Sequence, residues 1–129
     1  MAIESRVTTL ELIAKKTTGV PAPIVYRYDT TSDNEIGAPY ICMSFTHGKR
    51  LSEMWYQQPI PADREELRLK SLARLARLMD QLAHLSFPKI GSLMKDDVGD
   101  VVVGPAFDYA SGAPSRVIAK GPYDSLAEF

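Results

Sequence analysis

Apolar side chains fall at Val7, Leu10, Ile13 and Ala14, while Arg6, Glu11, Lys15 and Lys16 take the other side. That three- and four-residue spacing predicts an amphipathic helix over residues 5–16. Ser5 is placed to cap it, the two lysines suit the negative end of its dipole, and Gly19, Pro21 and Pro23 stop it. The chain beyond must be extended. Residues 24–28, Ile-Val-Tyr-Arg-Tyr, are β-branched and aromatic and predict a strand. A polar connection over 29–35 leads to Gly37, and residues 40–45, Tyr-Ile-Cys-Met-Ser-Phe, predict a second strand. No crossover of helical length separates the two, so they pair as antiparallel neighbours.

After a turn at residues 47–49, residues 51–55 predict a short helical turn, which Gln57-Gln-Pro-Ile-Pro61 interrupts. The strongest periodic signal follows. Over residues 63–85, Leu72, Leu75, Ala76, Met79, Leu82 and Ala83 repeat at three and four residues, with Arg74, Arg77, Asp80 and Gln81 outside that stripe. Asp63 is placed as the cap of this long helix, Glu65 and Glu66 lie in its first turns, and Pro88 ends it. Farther on, residues 89–93 read as a compact turn, 96–100 as a polar hairpin tip and 101–103 as a short β-run before Gly104-Pro105. Residues 107–129 show little periodicity and predict no element able to fold by itself. The class expected is α+β.

Composition narrows the function classes. The 129 residues fit one domain, and 45% hydrophobic with 24% charged residues describe an ordinary globular chain. A formal charge of −1 argues against a general nucleic-acid binder. The one cysteine, Cys42, builds neither a disulfide nor a cysteine zinc site within the chain, which points to a reducing compartment. No secretory leader or membrane-spanning run is visible, so the expected location is the cytoplasm, with no membrane partner.

Candidate chemistry is sparse. His47-Gly48-Lys49 echoes a phosphotransferase catalytic loop, but lysine stands where the proton acceptor belongs, so a turn is the better description. His84, near the end of the long helix, has no second ligand at metal spacing. The acidic sets Asp29, Asp33, Glu35 and Asp96, Asp97, Asp100 lack the oxygen-ligand spacing of a calcium loop. No phosphate-cradling glycine loop and no nucleophile elbow is present.

The order of segments carries more information than any one of them. Thr-Thr-Gly-Val-Pro-Ala-Pro-Ile-Val-Tyr, the loop with Asp33-Asn34 and Ile36-Gly37-Ala38-Pro39-Tyr40, Ile41-Cys-Met43 and Gly48-Lys-Arg-Leu51 occur in succession. Leu51-Ser-Glu-Met-Trp55, Gln81-Leu-Ala-His-Leu85, Phe87-Pro-Lys-Ile-Gly-Ser-Leu93, Val103-Gly-Pro105 and Lys120-Gly-Pro-Tyr-Asp-Ser-Leu126 complete the series. The succession resembles the aminoglycoside phosphotransferase family, in its fungal form, over nearly the whole chain.

The resemblance implies part of a protein-kinase-like fold. Residues 1–46 would form a small-lobe remnant with its helix, short antiparallel strands and hinge, and residues 47–129 the start of a large lobe built on the long helix. Met43, Ser44, Phe45 and Thr46 would be the hinge, offering backbone groups to an adenine edge. ATP and Mg are the family's cofactors. The family's phosphate-binding lysine precedes the first helix, and its catalytic aspartate loop and metal ligands follow the Gly-Pro-Tyr segment, so the chain is expected to be a middle portion that is inactive alone. The parent activity implied is phosphorylation of a small-molecule hydroxyl. The alternative is a non-catalytic interaction module, or truncated pseudo-kinase, pairing through the 63–85 helix with a like chain or a missing lobe.

Overall fold

In the computed structural model, residues 2–56, 61–109 and 117–129 are described. The first helix, α1 (Ala2–Lys16), supplies the innermost residues: Val7 is 1% exposed and Thr8 3%. Its apolar stripe is covered on one side by β1 (Val25–Asp29) and β2 (Tyr40–Met43), and on another by β3 (Ser92–Lys95). The helix starts three residues before the predicted position. Ser5 is therefore not its cap: the Ser5 carbonyl accepts a 2.7 Å bond from the Thr9 hydroxyl inside the helix. Thr17 returns its hydroxyl to the Ile13 carbonyl at 2.6 Å in the same way at the far end. These local bonds satisfy threonine hydroxyls that water cannot reach freely.

The predicted antiparallel pair exists. Arg27 faces Cys42, Tyr28 faces Ile41 and Asp29 faces Tyr40, with an irregularity between Val25 and Arg27 that leaves Tyr26 as the extra residue of a bulge. The connecting loop is organised by Asn34. Its side-chain amide donates to the Thr31 and Ala38 carbonyls, and its Oδ1 accepts from the Ile36 and Gly37 amides, all at 2.8–3.1 Å. Asp29 Oδ1 closes the loop's start by accepting from the Thr31 amide and hydroxyl, each at 2.8 Å.

A short helix, α2 (Leu51–Trp55), precedes the long α3 (Pro61–Ala83). Residues 57–60 of the predicted break lie outside the described residues. Pro61 begins α3 rather than belonging to the break, because a proline in the first turn gives up an N–H that has no intrahelical partner there. Asp63 accordingly sits within the first turn, where its charge suits the dipole, and is not the cap.

The C-terminal third is more ordered than its pattern predicts. β3, expected as part of a turn, pairs antiparallel with β4 (Val101–Gly104), and the expected polar tip joins them. Asp96 Oδ1 holds that tip by accepting from the Val98 and Asp100 amides. β5 (Ala106–Tyr109) and β6 (Val117–Lys120) form a further hairpin where little structure was expected. Ile90 and Tyr123 then exchange backbone bonds of 2.8 and 2.9 Å, tying the tail to the chain before β3.

The architecture is α+β, and the described residues form three separate two-stranded antiparallel sheets. Sheets of two strands are marginal alone and draw stability from what covers them. Here α1 is that cover for β1–β2 and for β3, and Lys95 fastens it with a 2.6 Å ion pair to Glu11. Among the described residues little else is enclosed. Val7 is the one apolar side chain among the described residues that is fully buried.

Candidate functional site

The segment after β2 is held at both ends and open between them. At its start the Ser44 amide donates to the Ile24 carbonyl at 2.8 Å, and the Ile24 amide donates to Ser44 Oγ at 2.9 Å. Ser44 thus continues the β1–β2 pairing by one residue after regular strand geometry ends at Met43. At its far end Arg50 remains extended (φ −62°, ψ 134°) before α2 begins. Arg68 of α3 lies 5.2 Å over the Trp55 ring and 5.9 Å over Tyr56, and its Nη2 donates to the Trp55 carbonyl at 3.1 Å. Stacking of a guanidinium on two rings, with a hydrogen bond to the same helix, fixes α2 on α3.

Between those anchors, no backbone hydrogen bond among the described residues engages the N–H or C=O groups of residues 45–49. Polar backbone groups free of a ladder are the raw material of ligand recognition by main chain. Phe45 is 79% exposed, meets His47 edge-on at 5.0 Å and leaves its other face open. Gly48, at φ 143°, lets the chain bend after His47 in a conformation that a side chain would disfavour.

The four residues expected as a hinge therefore differ in what they can offer. Met43 closes β2 and is partly exposed, Ser44 spends its amide and hydroxyl on Ile24, and Phe45 and Thr46 carry the free backbone groups. Five grooves among the described residues are lined by other residues; one of about 540 Å³ lies by Arg27, Asp33, Glu35, Tyr40 and Cys42.

Other chemistry-bearing residues are dispersed. His84 Nδ1 lies 2.7 Å from the Asp80 carbonyl at the end of α3. Among the described residues no three or more His, Cys, Asp or Glu side chains come together to hold a metal ion. Shifted ionisation is confined to local pairs: two hydrogen bonds from Thr31 hold Asp29 below the ordinary carboxylate range, the Lys70 ammonium does the same to Glu66, and Glu11 raises Lys95. The signal that sequence alone missed is Arg68, hidden in the helix pattern as one more polar position, because its role depends on rings thirteen and twelve residues earlier.

Comparison with known proteins gives distant relatives. The chain is 37% identical over 101 residues to altered inheritance of mitochondria protein 9, mitochondrial, from Candida tropicalis, a match covering 74% of this chain and 16% of that protein. The counterpart from Candida dubliniensis is 33% identical over the same length, with the same coverage. A subtelomeric hrmA-associated cluster protein of Aspergillus fumigatus is 31% identical over 131 residues, covering 92% of this chain and 25% of that protein. The chain thus spans a quarter or less of these relatives. No family model matches, and no solved structure matches. No helix among the described residues is long and apolar enough to cross a membrane.

Proposed function

We propose that this chain is the nucleotide-hinge and scaffold portion of an ATP-dependent, kinase-like phosphotransferase acting on a small-molecule hydroxyl. The observation that carries the proposal is the open backbone of residues 45–49, bounded by Ser44, which bonds to Ile24 before β1, and by α2, which Arg68 holds on α3. An adenine edge needs an N–H donor and a carbonyl acceptor side by side on a strand that has just left its sheet, and it is indifferent to most side chains there. The order of elements, a helix over a two-stranded hairpin, an extended link, a short helix and a long helix, is the order such a hinge requires.

No transfer step is assigned to the chain. Phosphoryl transfer depends on cations and a positioned acceptor around the phosphates, and the resemblance places the family's lysine and aspartate loop outside the matched segments. We therefore assign adenine recognition and lobe connection, in the cytoplasm; the Candida relatives carry "mitochondrial" in their names. Subcellular fractionation checks the compartment, a mitochondrial pool being the contrary result.

The experiment for the hinge contrasts Thr46→Ala with Thr46→Pro. Alanine keeps the backbone N–H and proline removes it. ATP binding, read by thermal shift, should survive the first and be lost in the second while far-UV circular dichroism stays that of the parent. Binding unaffected by proline would refute main-chain recognition at this position. A second reading, a non-catalytic interaction module, is favoured by the exposed apolar side of α3.

A further inference from the structure

One side of α3 is a polar and largely basic stripe. At 100° per residue, Lys70, Arg74, Arg77, Gln81 and His84 fall within about 80° of the helix surface. The connection from α1 to β1 runs beside that stripe, and two troughs form between them. The first, of about 400 Å³, lies between Gly19 and the side chains of Lys70, Arg74, Arg77 and Gln81. The second, of about 350 Å³, lies between Lys16, Thr18 and the side chains of Asp80, Gln81 and His84. Gln81 lines both, so the troughs meet there. Lys70 is bridged to Glu66 at 2.6 Å, and the Asp80 carboxylate lies 3.9 Å from His84 Nδ1. Lys16, Arg74 and Arg77 are exposed and have no carboxylate partner among the described residues. The troughs therefore carry an excess of positive charge.

Charge alone would admit any anion, and the rest of the lining selects an extended peptide. Gln81 Oε1 is enclosed without a hydrogen-bond partner among the described residues, a cost that an arriving N–H relieves. Across the troughs, no backbone hydrogen bond among the described residues engages the N–H or C=O groups of Thr18, Gly19 or Val20. That stretch offers main-chain groups as a sheet edge does. A peptide backbone brings both donors and acceptors to it, and acidic side chains bring carboxylates that match the guanidinium forks of Arg74 and Arg77. A free phosphate brings no N–H and cannot reach Lys70 and Arg77 together, which are about 10 Å apart along the axis. A nucleic-acid strand finds no Phe, Tyr or Trp in either trough on which to stack its bases. From Lys70 to His84 the axis runs about 21 Å, the length of six or seven extended residues at about 3.3 Å each.

We propose that the troughs between α3 and the α1–β1 connection are a docking site for an extended acidic peptide, its carboxylates on Arg74, Arg77 and the flanking lysines and its backbone against residues 18–20 and Gln81. The inference is independent of the hinge assignment. It is tested on the whole chain with labelled peptides of about eight residues in which glutamate alternates with serine, so that an extended chain presents every carboxylate on one face. A twin carries glutamine for glutamate, and a third peptide keeps the glutamates but has alternate backbone amides methylated. Fluorescence anisotropy should show the glutamate peptide binding at least about tenfold more tightly than its glutamine twin at low salt, with the gap narrowing as salt is added. Backbone methylation should weaken binding about fivefold, since it removes donors while leaving the charge. Arg74→Glu and Arg77→Glu should each abolish the preference for glutamate with the circular dichroism of the parent retained, whereas Lys120→Glu, the same charge change outside the troughs, should leave it. Equal affinity for the first two peptides, binding of neither, full affinity after methylation, or an equal loss in Lys120→Glu would overturn the proposal. Displacement by a single-stranded oligonucleotide at equal concentration, or by inorganic phosphate better than by chloride of the same ionic strength, would overturn it as well.

Discussion

Val7 and Leu72 are both apolar members of helical stripes, yet their environments differ so far that truncating each should give losses of very different size. Val7 is 1% exposed between α1 and the strands, whereas Leu72 is 51% exposed on α3. Val7→Ala removes two methyl groups, about 1.6 kcal/mol of transfer free energy at about 0.8 kcal/mol per group. The cavity left behind adds to this, for a total of about 2–3 kcal/mol. Against a small domain's stability of about 5–15 kcal/mol that is a large fraction, and the loss should move the denaturation midpoint visibly. Leu72→Ala, by contrast, should cost no more than about 0.5 kcal/mol, and its higher helix propensity offsets part of that. Urea unfolding followed by circular dichroism, with Trp55 fluorescence as a second probe, measures both. Equal destabilisation by the two substitutions would refute the assignment of the core to α1 and show that the α3 apolar stripe is covered within the chain.

Other consequences follow from single contacts. Asn34→Ala deletes four hydrogen bonds that shape the loop between β1 and β2; at partly exposed sites this should cost about 1–2 kcal/mol in urea unfolding, and retention of full stability would contradict the loop's dependence on that side chain. A methyl group at Gly91 would meet the Gly104 carbonyl, whereas one at Gly104 would meet the flexible Met94 side chain. Gly91→Ala should therefore lower the melting temperature more than Gly104→Ala, and the reverse order would contradict the β3–β4 geometry. Glu11 raises the Lys95 pKa, so the pair's stabilisation is complete below the ordinary lysine value and is lost as pH climbs through the raised one. With both side chains over 40% exposed, Glu11→Gln should cost under about 1 kcal/mol at neutral pH, and nothing in strong alkali. A larger loss near neutrality would show a more enclosed contact.

What the sequence discloses depends on whether a signal is carried by pattern or by partner. The stripe of α1 and the β1–β2 pair were legible because burial on one face writes a periodicity into the residues themselves. β5 and β6 were not, since Ala106-Phe-Asp-Tyr109 and Val117-Ile-Ala-Lys120 are short and are separated by a glycine- and proline-bearing stretch over residues 110–116, outside the described residues. Pro61 was read as a helix breaker because its tolerance in a first turn depends on where the helix starts. At the candidate site the limit is deeper. A hinge that works through main-chain atoms leaves no required side chain, so Phe45 and Thr46 could be singled out only by a resemblance in segment order. The anchors Ser44–Ile24 and Arg68–Trp55 join residues 20 and 13 positions apart, and no local rule links them.

The central claim, that the backbone after β2 receives an adenine edge, is tested most directly by amide NMR of the isotope-labelled chain titrated with adenosine, which carries the base without phosphates. Saturable shifts centred on the Phe45, Thr46 and His47 amides are the predicted result. Shifts absent there, or centred instead on the groove by Arg27, Tyr40 and Cys42, would contradict it.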